Sequence, residues 1–248
     1  PGAMGFGFNP FNFLILGGMG FLFVSSLVQS ATQTITTSWS DSDTTSPFAT
    51  TSGTASVVKL SIAIDVPNRD SPNSILSVLN RLAETANTST RKGVQNLTSQ
   101  VALELLRRKS SIQLASGKVQ NFQNSNAAER TFNQWSVQER SKFEAETTSN
   151  FGDRSFFGKS SSSSTSDVDD GKATMAVVTL VLNMQGKVSS PQTIKSMMDV
   201  EEALRTIASD VKVDDNLSSA EILWTPEDRS ETLTRKDVIA DYPELVSV

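Results

Sequence analysis

From Phe8 to Ser30 the chain reads FNPFNFLILGGMGFLFVSSLVQS, and no charged residue precedes Asp41. A segment without charge does not make the half-solvated helix or strand of an ordinary domain surface, so either protein or lipid must cover it. Phe11 to Val28 supplies 18 residues whose only polar side chains are Asn12, Ser25 and Ser26. As a helix they extend roughly 27 Å, close to the lower limit for crossing a hydrocarbon layer of ~30 Å. Pro10 suits the first helical position, where its missing N–H is not needed, and Gln29 and Ser30 close the apolar run.

A transmembrane anchor is therefore the expectation, with a retained signal-like segment and a buried core helix as the alternatives. A signal peptide calls for a basic stretch ahead of the apolar block, and the given sequence shows none there. Orientation is weakly specified, because the nearest basic residue is Lys59. Gly17, Gly18 and Gly20 remove side chains from one part of the helix, so a neighbouring helix or a flat pigment such as chlorophyll or carotenoid can approach the backbone. Together with Phe11, Phe13 and Phe21 they form the expected docking set toward lipid bilayer and partner. No cofactor is required by this reading.

Composition adds two exclusions. The formal net charge is −5, all of it carried after position 40, so a nucleic-acid partner is not expected. The chain contains neither His nor Cys, which removes thiolate nucleophiles, Ser-His triads and His- or Cys-ligated metals. Catalysis would rest on paired carboxylates or a tuned lysine, and no recognisable frame of that kind is present. SDVDDGK (Asp167, Asp169, Asp170, Gly171) lacks the twelfth-position Glu of a calcium loop. Catalytic, cofactor-binding and metal-binding residues are accordingly all expected to be absent, and a carboxylate-dependent hydrolase is the weakest of the functional readings.

After a Ser/Thr-rich linker over 31–55, residues 56–248 read as a soluble domain with a flexible Ser-rich loop at about 152–172. VVKLSIAID alternates Val58, Leu60, Ile62 and Ile64 with polar or small residues, predicting a half-buried strand. Ser71 and Pro72 predict a helix start, and Ile75, Leu76, Leu79, Leu82, Ala83 and Ala86 its apolar face. Thr90 caps a second helix lined by Val94, Leu97, Val101 and Leu105 and ending in the cations Arg107 to Lys109. Residues 110–125 read as mostly irregular, with at most a short strand. Ser136 and Glu139 form a capping-box pattern that would split the next helix near Trp135. TMAVVTLVLN predicts a central strand buried on both faces, Asp199 with Glu202 a helix start, AEILW a third strand and Thr234 a last short helix stopped by Pro243. The order gives an α+β fold in which a small sheet is covered on one face by helices. Phe132, Trp135 and Phe143 are expected in its core, with a partner surface as the alternative role for Trp135 and Trp224.

VVKLSIAID, LAETANTSTRKGVQNLTSQVALELLRR, FNQWSVQERSKFEAET, AVVTLVLNMQGKV and above all EILWTPEDRSETLTRKDVIADYPEL carry a likeness. The chain resembles an uncharacterised-domain family of cyanobacterial and plastid membrane proteins that includes the plant fluctuating-light acclimation protein. The resemblance covers roughly Val57 to Val248, and PGAMGFGFNPF is similar to the end of the family's glycine-rich segment. It implies a single-pass protein of the plastid thylakoid membrane with its soluble domain on the stromal side, and it offers no catalytic residues to carry over. Two departures stand out: the family's long leader and the basic residues after the span are not in this sequence, as expected of a trimmed or processed chain. The expected function is that of a non-catalytic accessory subunit docking on a photosystem or other thylakoid membrane complex. The alternative is a free membrane-bound regulator of photoprotection or ion balance under fluctuating light.

Overall fold

A computed structural model describes residues 21–24, 53–156, 173–226 and 231–248, with the side chains of 21–24 and 143–156 left out. Among the described residues six strands form one antiparallel sheet: β1 (Phe21–Val24), β2 (Ala55–Val66), β3 (Ile112–Phe122), β4 (Thr174–Gln185), β5 (Leu217–Thr225) and β6 (Val246–Ser247), in the order β1-β5-β4-β2-β3-β6. The helices are α1 (Ile75–Thr85), α2 (Arg91–Arg107), α3 (Ser125–Phe156), α4 (Met197–Asp210) and α5 (Arg235–Asp241). β2 and β4 pair from Ala55↔Gln185 to Val66↔Thr174, so the chain on either side of residues 157–172 shares one sheet. The Ser-rich loop and the Asp167–Gly171 pattern themselves lie outside the described residues.

The alternation in β2 and the β-branched run in β4 place two long strands at the centre. Val58, Leu60, Ile62 and Ile64 of β2 join Val178, Leu180 and Leu182 of β4 in the principal core. The apolar stripes of α1, α2 and α4 close over it through Leu79, Leu97, Val101, Leu105, Leu204 and Ile207. Each such side chain contributes about 1.5–3 kcal/mol by leaving water. Local signals set most helix starts. Thr90 accepts from the Gly93 N–H at 3.1 Å, and Thr234 with Asp237 completes a capping box. Two starts move by three residues. Ser74, not Ser71, caps α1, because residues 68–71 are first used in a turn. Ser196, not Asp199, caps α4, and Asp199 accepts from Ser196 Oγ and from the Lys195 N–H instead.

Three expectations are corrected. Residues 112–122 form an eleven-residue strand, although Ser116, Gly117, Lys118, Gln120 and Asn121 depress its strand signal. The free backbone edge of β2 has to be hydrogen-bonded, and β3 does so over ten register positions. The helix around Trp135 is continuous, because Ser136 and Glu139 turn toward the sheet and do not cap. Finally, helices cover both faces of the sheet, so β2 is buried nearly throughout where half-burial was predicted. Trp135 and Trp224, considered as partner surface, are 6% and 4% exposed and belong to the core. Bulky rings at inward helix and strand positions lose more by staying in water than a surface role returns.

No helix among the described residues is long and apolar enough to cross a membrane. Within the expected span, Phe21–Val24 are extended and pair with β5 from Phe21↔Leu223 to Val24↔Ala220. The remainder of that span, and with it Phe11, Phe13, Gly17, Gly18 and Gly20, lies outside the described residues.

Candidate functional site: a charged seam under the long helix

The second face of the sheet has its apolar residues in two separate clusters. At one end Ala55, Val57 and Val181 pack against Ala128, Phe132 and Trp135 of α3. At the other, Ala63, Leu114, Met175 and Val177 pack against Leu233, Val238, Tyr242 and Leu245. Register explains what lies between them. Lys59, Val181 and Glu221 stand abreast on β2, β4 and β5, and Ser61, Thr179 and Leu223 form the next row. Thr179 Oγ1 donates to Ser61 Oγ at 2.9 Å, both side chains fully buried.

Over this polar strip α3 lays Ser136, Glu139 and Lys142, spaced three apart on its inward side, with Arg140 four residues after Ser136. Glu139 has no solvent exposure and takes the Lys59 ammonium at 2.6 Å and the Lys142 ammonium at 3.1 Å. Lys142 extends the chain of charges to Glu244 and stands 5.6 Å over the Tyr242 ring. Glu221, equally buried, faces Arg140 Nε at 2.8 Å. At the strip's outer margin the Lys118 ammonium lies 4.8 Å over the indole of Trp135.

The environments push these groups apart. Burial raises Glu221 above the usual carboxylate range; neighbouring Ser136 and Arg140 oppose this and Glu139 adds to it. The neighbours that favour its charged form are the Arg140 guanidinium at 2.8 Å and the Ser136 hydroxyl. Burial also acts upward on Glu244, but the hydrogen bond and charge of Lys142 dominate and hold it below the usual range. Lys142 is correspondingly raised: its desolvation is outweighed by Glu244 and Glu139. Three carboxylates and three cations thus face one another in one seam. Among the described residues no group of acids is arranged to hold a metal ion.

Reading along the sequence missed this seam. Lys59 looked like the solvent side of a half-buried strand and Ser136 with Glu139 like a cap. The signal that distinguishes them is an acid in a strand of the apolar type, Glu221 within AEILW, which has no solvent face to occupy. Away from the seam, the buried Arg69 donates to the main-chain oxygens of Glu231 and, at 3.2 Å, of Pro226. It ties the β2–α1 connection to the TPEDRSET stretch.

A family model described as a protein of unknown function (DUF1517) matches residues 54–248, the whole sheet from β2 onward and all five helices. Protein FLAP1 homolog A of Synechocystis is 33% identical over 171 residues, covering 67% of this chain and 50% of that protein. Fluctuating-light-acclimation protein 1, chloroplastic, of Arabidopsis thaliana is 28% identical over 246 residues, covering 98% of this chain and 57% of that protein. The chain spans about half the length of the curated relatives it matches. No solved structure matches.

Proposed function

Because the chain belongs to the DUF1517 family, we propose that it is a non-catalytic protein of light acclimation, anchored in the plastid thylakoid membrane by one span. In this reading Phe11, Phe13, Gly17, Gly18, Gly20 and Phe21 dock the anchor on a photosystem or another membrane complex, with chlorophyll or carotenoid against the glycines. The α+β domain stays outside the membrane on the stromal side. The observation that carries the reading is the extent of the Arabidopsis match. At 246 residues it takes in the charge-free Gly/Phe segment as well as the folded domain, and the name of that protein states both light acclimation and the chloroplast.

Two further features support it. The acids and bases of the seam face one another, Glu139 between two lysines and Glu221 against Arg140, which favours a structural over a catalytic use of it. The glycines sit inside the apolar run, where they give a neighbouring helix close access. A helix over 11–28 and the strand β1 are mutually exclusive, so insertion detaches Phe21–Val24 from the edge of β5.

The test has two arms. Carbonate washing of membranes that carry the full chain should leave the protein behind, and its release would refute a spanning helix. Blue-native electrophoresis of solubilised thylakoids should then show it at a constant ratio with a photosystem complex. Replacing Gly17, Gly18 and Gly20 by Leu should weaken that association. Migration at low mass, unaffected by the glycine replacements, favours the alternative: a free membrane-bound regulator of photoprotection or ion balance.

A further inference from the structure

α3 is fixed to the sheet in two different ways along its length. Up to Trp135 the hold is apolar, through Ala128, Phe132 and Trp135. From Ser136 to Lys142 the contacts are between ionisable groups: Glu139 with Lys59 and Lys142 with Glu244 hold the helix, and Arg140 stands beside the buried Glu221. Well-packed apolar residues of similar volume commonly hold such a helix at least as firmly as buried charges do, whereas buried charges make the hold depend on their protonation. We propose that the Ser136–Lys142 part of α3 is a proton-controlled latch, closed on the sheet while Glu221 is neutral and loosened when Glu221 ionises.

The charged groups around Glu221 fix the direction. α3 presents Arg140 and Glu139, β2 presents Lys59 across Val181, and β4 places Val181 beside it in register. Beyond Glu139 stand Lys142 and Glu244, and Lys118 closes the row on β3. Burial sets the closed-state pKa of Glu221 above that of the solvated, open state, so closing takes a proton from solvent and opening returns it. Closure is thus favoured below the ordinary carboxylate pKa. It weakens as pH rises from there to the raised value and levels off beyond it. Glu244 has the opposite sign, since its lowered pKa makes its contact with Lys142 fail only on the acid side. The latch is tightest near the ordinary carboxylate range and opens toward alkaline pH.

Hydrogen exchange on the full chain in detergent micelles, corrected for the intrinsic pH dependence of exchange, reads this directly. Between about pH 5 and about pH 8, opening of amides 136–142 should increase about tenfold per pH unit over the rising limb and then level off. Amides 94–105 of α2 should not follow. Glu221→Gln should stay flat at the closed value. Arg140→Gln should carry the rising limb to higher pH, because the closed carboxylate loses its counter-charge, and this variant decides the matter if Glu221→Gln does not fold. A flat wild-type profile, an unchanged slope in Glu221→Gln, a limb unmoved in Arg140→Gln, or α2 opening in step with α3 would each overturn the latch.

Discussion

Arg140 Nε on α3 stands 2.8 Å from the carboxylate of Glu221 on β5, and that carboxylate has no solvent exposure. α3 and β5, separated in sequence by β4 and α4, are thereby joined through a pair of charges. Removing one partner of such a pair is worse than removing both. Arg140→Gln should therefore lower stability by about 1–3 kcal/mol in urea unfolding above the raised pKa of Glu221, the partial exposure of Arg140 keeping the loss moderate. The loss should shrink on the acid side, where Glu221 is neutral. Glu221→Gln should be close to neutral in acid and stabilising in alkali. The raised pKa withdraws stability as pH climbs through it, and the amide has nothing to ionise. Equal losses for Arg140→Gln at both pH values would contradict this account.

Glu244 carries the opposite sign. Its pKa is held below the usual range, so its contribution is present above that range and disappears as pH falls through the lowered value. Glu244→Gln should cost under about 1 kcal/mol near neutrality, the pair being partly exposed. The variant and the parent should converge in acid, as thermal unfolding across pH can establish.

Gly93 invites a wrong repair. Alanine in place of glycine within a helix ordinarily gains about 1 kcal/mol. At position 93, however, a Cβ would sit 1.8 Å from the main-chain oxygen of Asn87 and 3.0 Å from Thr90 Oγ1, the capping atom of α2. Gly93→Ala should instead destabilise by about 1–3 kcal/mol, as forced overpacking does. A raised urea midpoint would show that the 87–90 turn yields without cost.

Gly117 makes a comparable case on β3. A side chain there would meet Ile194 Cγ1 at 2.6 Å, so the strand-weakening glycine admits the segment after β4 onto the sheet. Gly117→Ala should destabilise by about 1–3 kcal/mol, and combined with Ile194→Ala, which removes that Cγ1, the total loss should be smaller than the sum of the two single losses. Strict additivity of the two changes would mean that the contact is not what the glycine accommodates.

Trp135 separates core from surface. With 6% exposure and Ala128, Phe132 and Val57 in its cluster, Trp135→Ala should cost about 3–5 kcal/mol of stability. Lys118→Ala should cost well under about 1 kcal/mol, since an exposed cation over the ring adds little. A Trp135→Ala variant of unchanged stability would return the indole to the role of partner surface.

Much of the framework is determined by the sequence alone, because the signals are local. The alternation in Val58–Ile64, the β-branched run of β4, the stripes of α1 and α2, and the caps Thr90 and Thr234 all act over a few residues. A charge-free Phe8–Ser30 likewise states by itself that something must cover it. Tertiary structure decided the rest. A polar strand such as β3 forms because β2 needs a hydrogen-bonding neighbour, and no residue within 112–122 announces that need. Whether Lys59 meets water or Glu139 depends on a helix 80 residues away, and a period of two distinguishes two faces without saying what covers either. Ser136 and Glu139 match a cap in spacing, but burial against the sheet gives their polar atoms other neighbours. Desolvation, which only the assembled fold imposes, turns four ordinary surface residue types into the seam under α3.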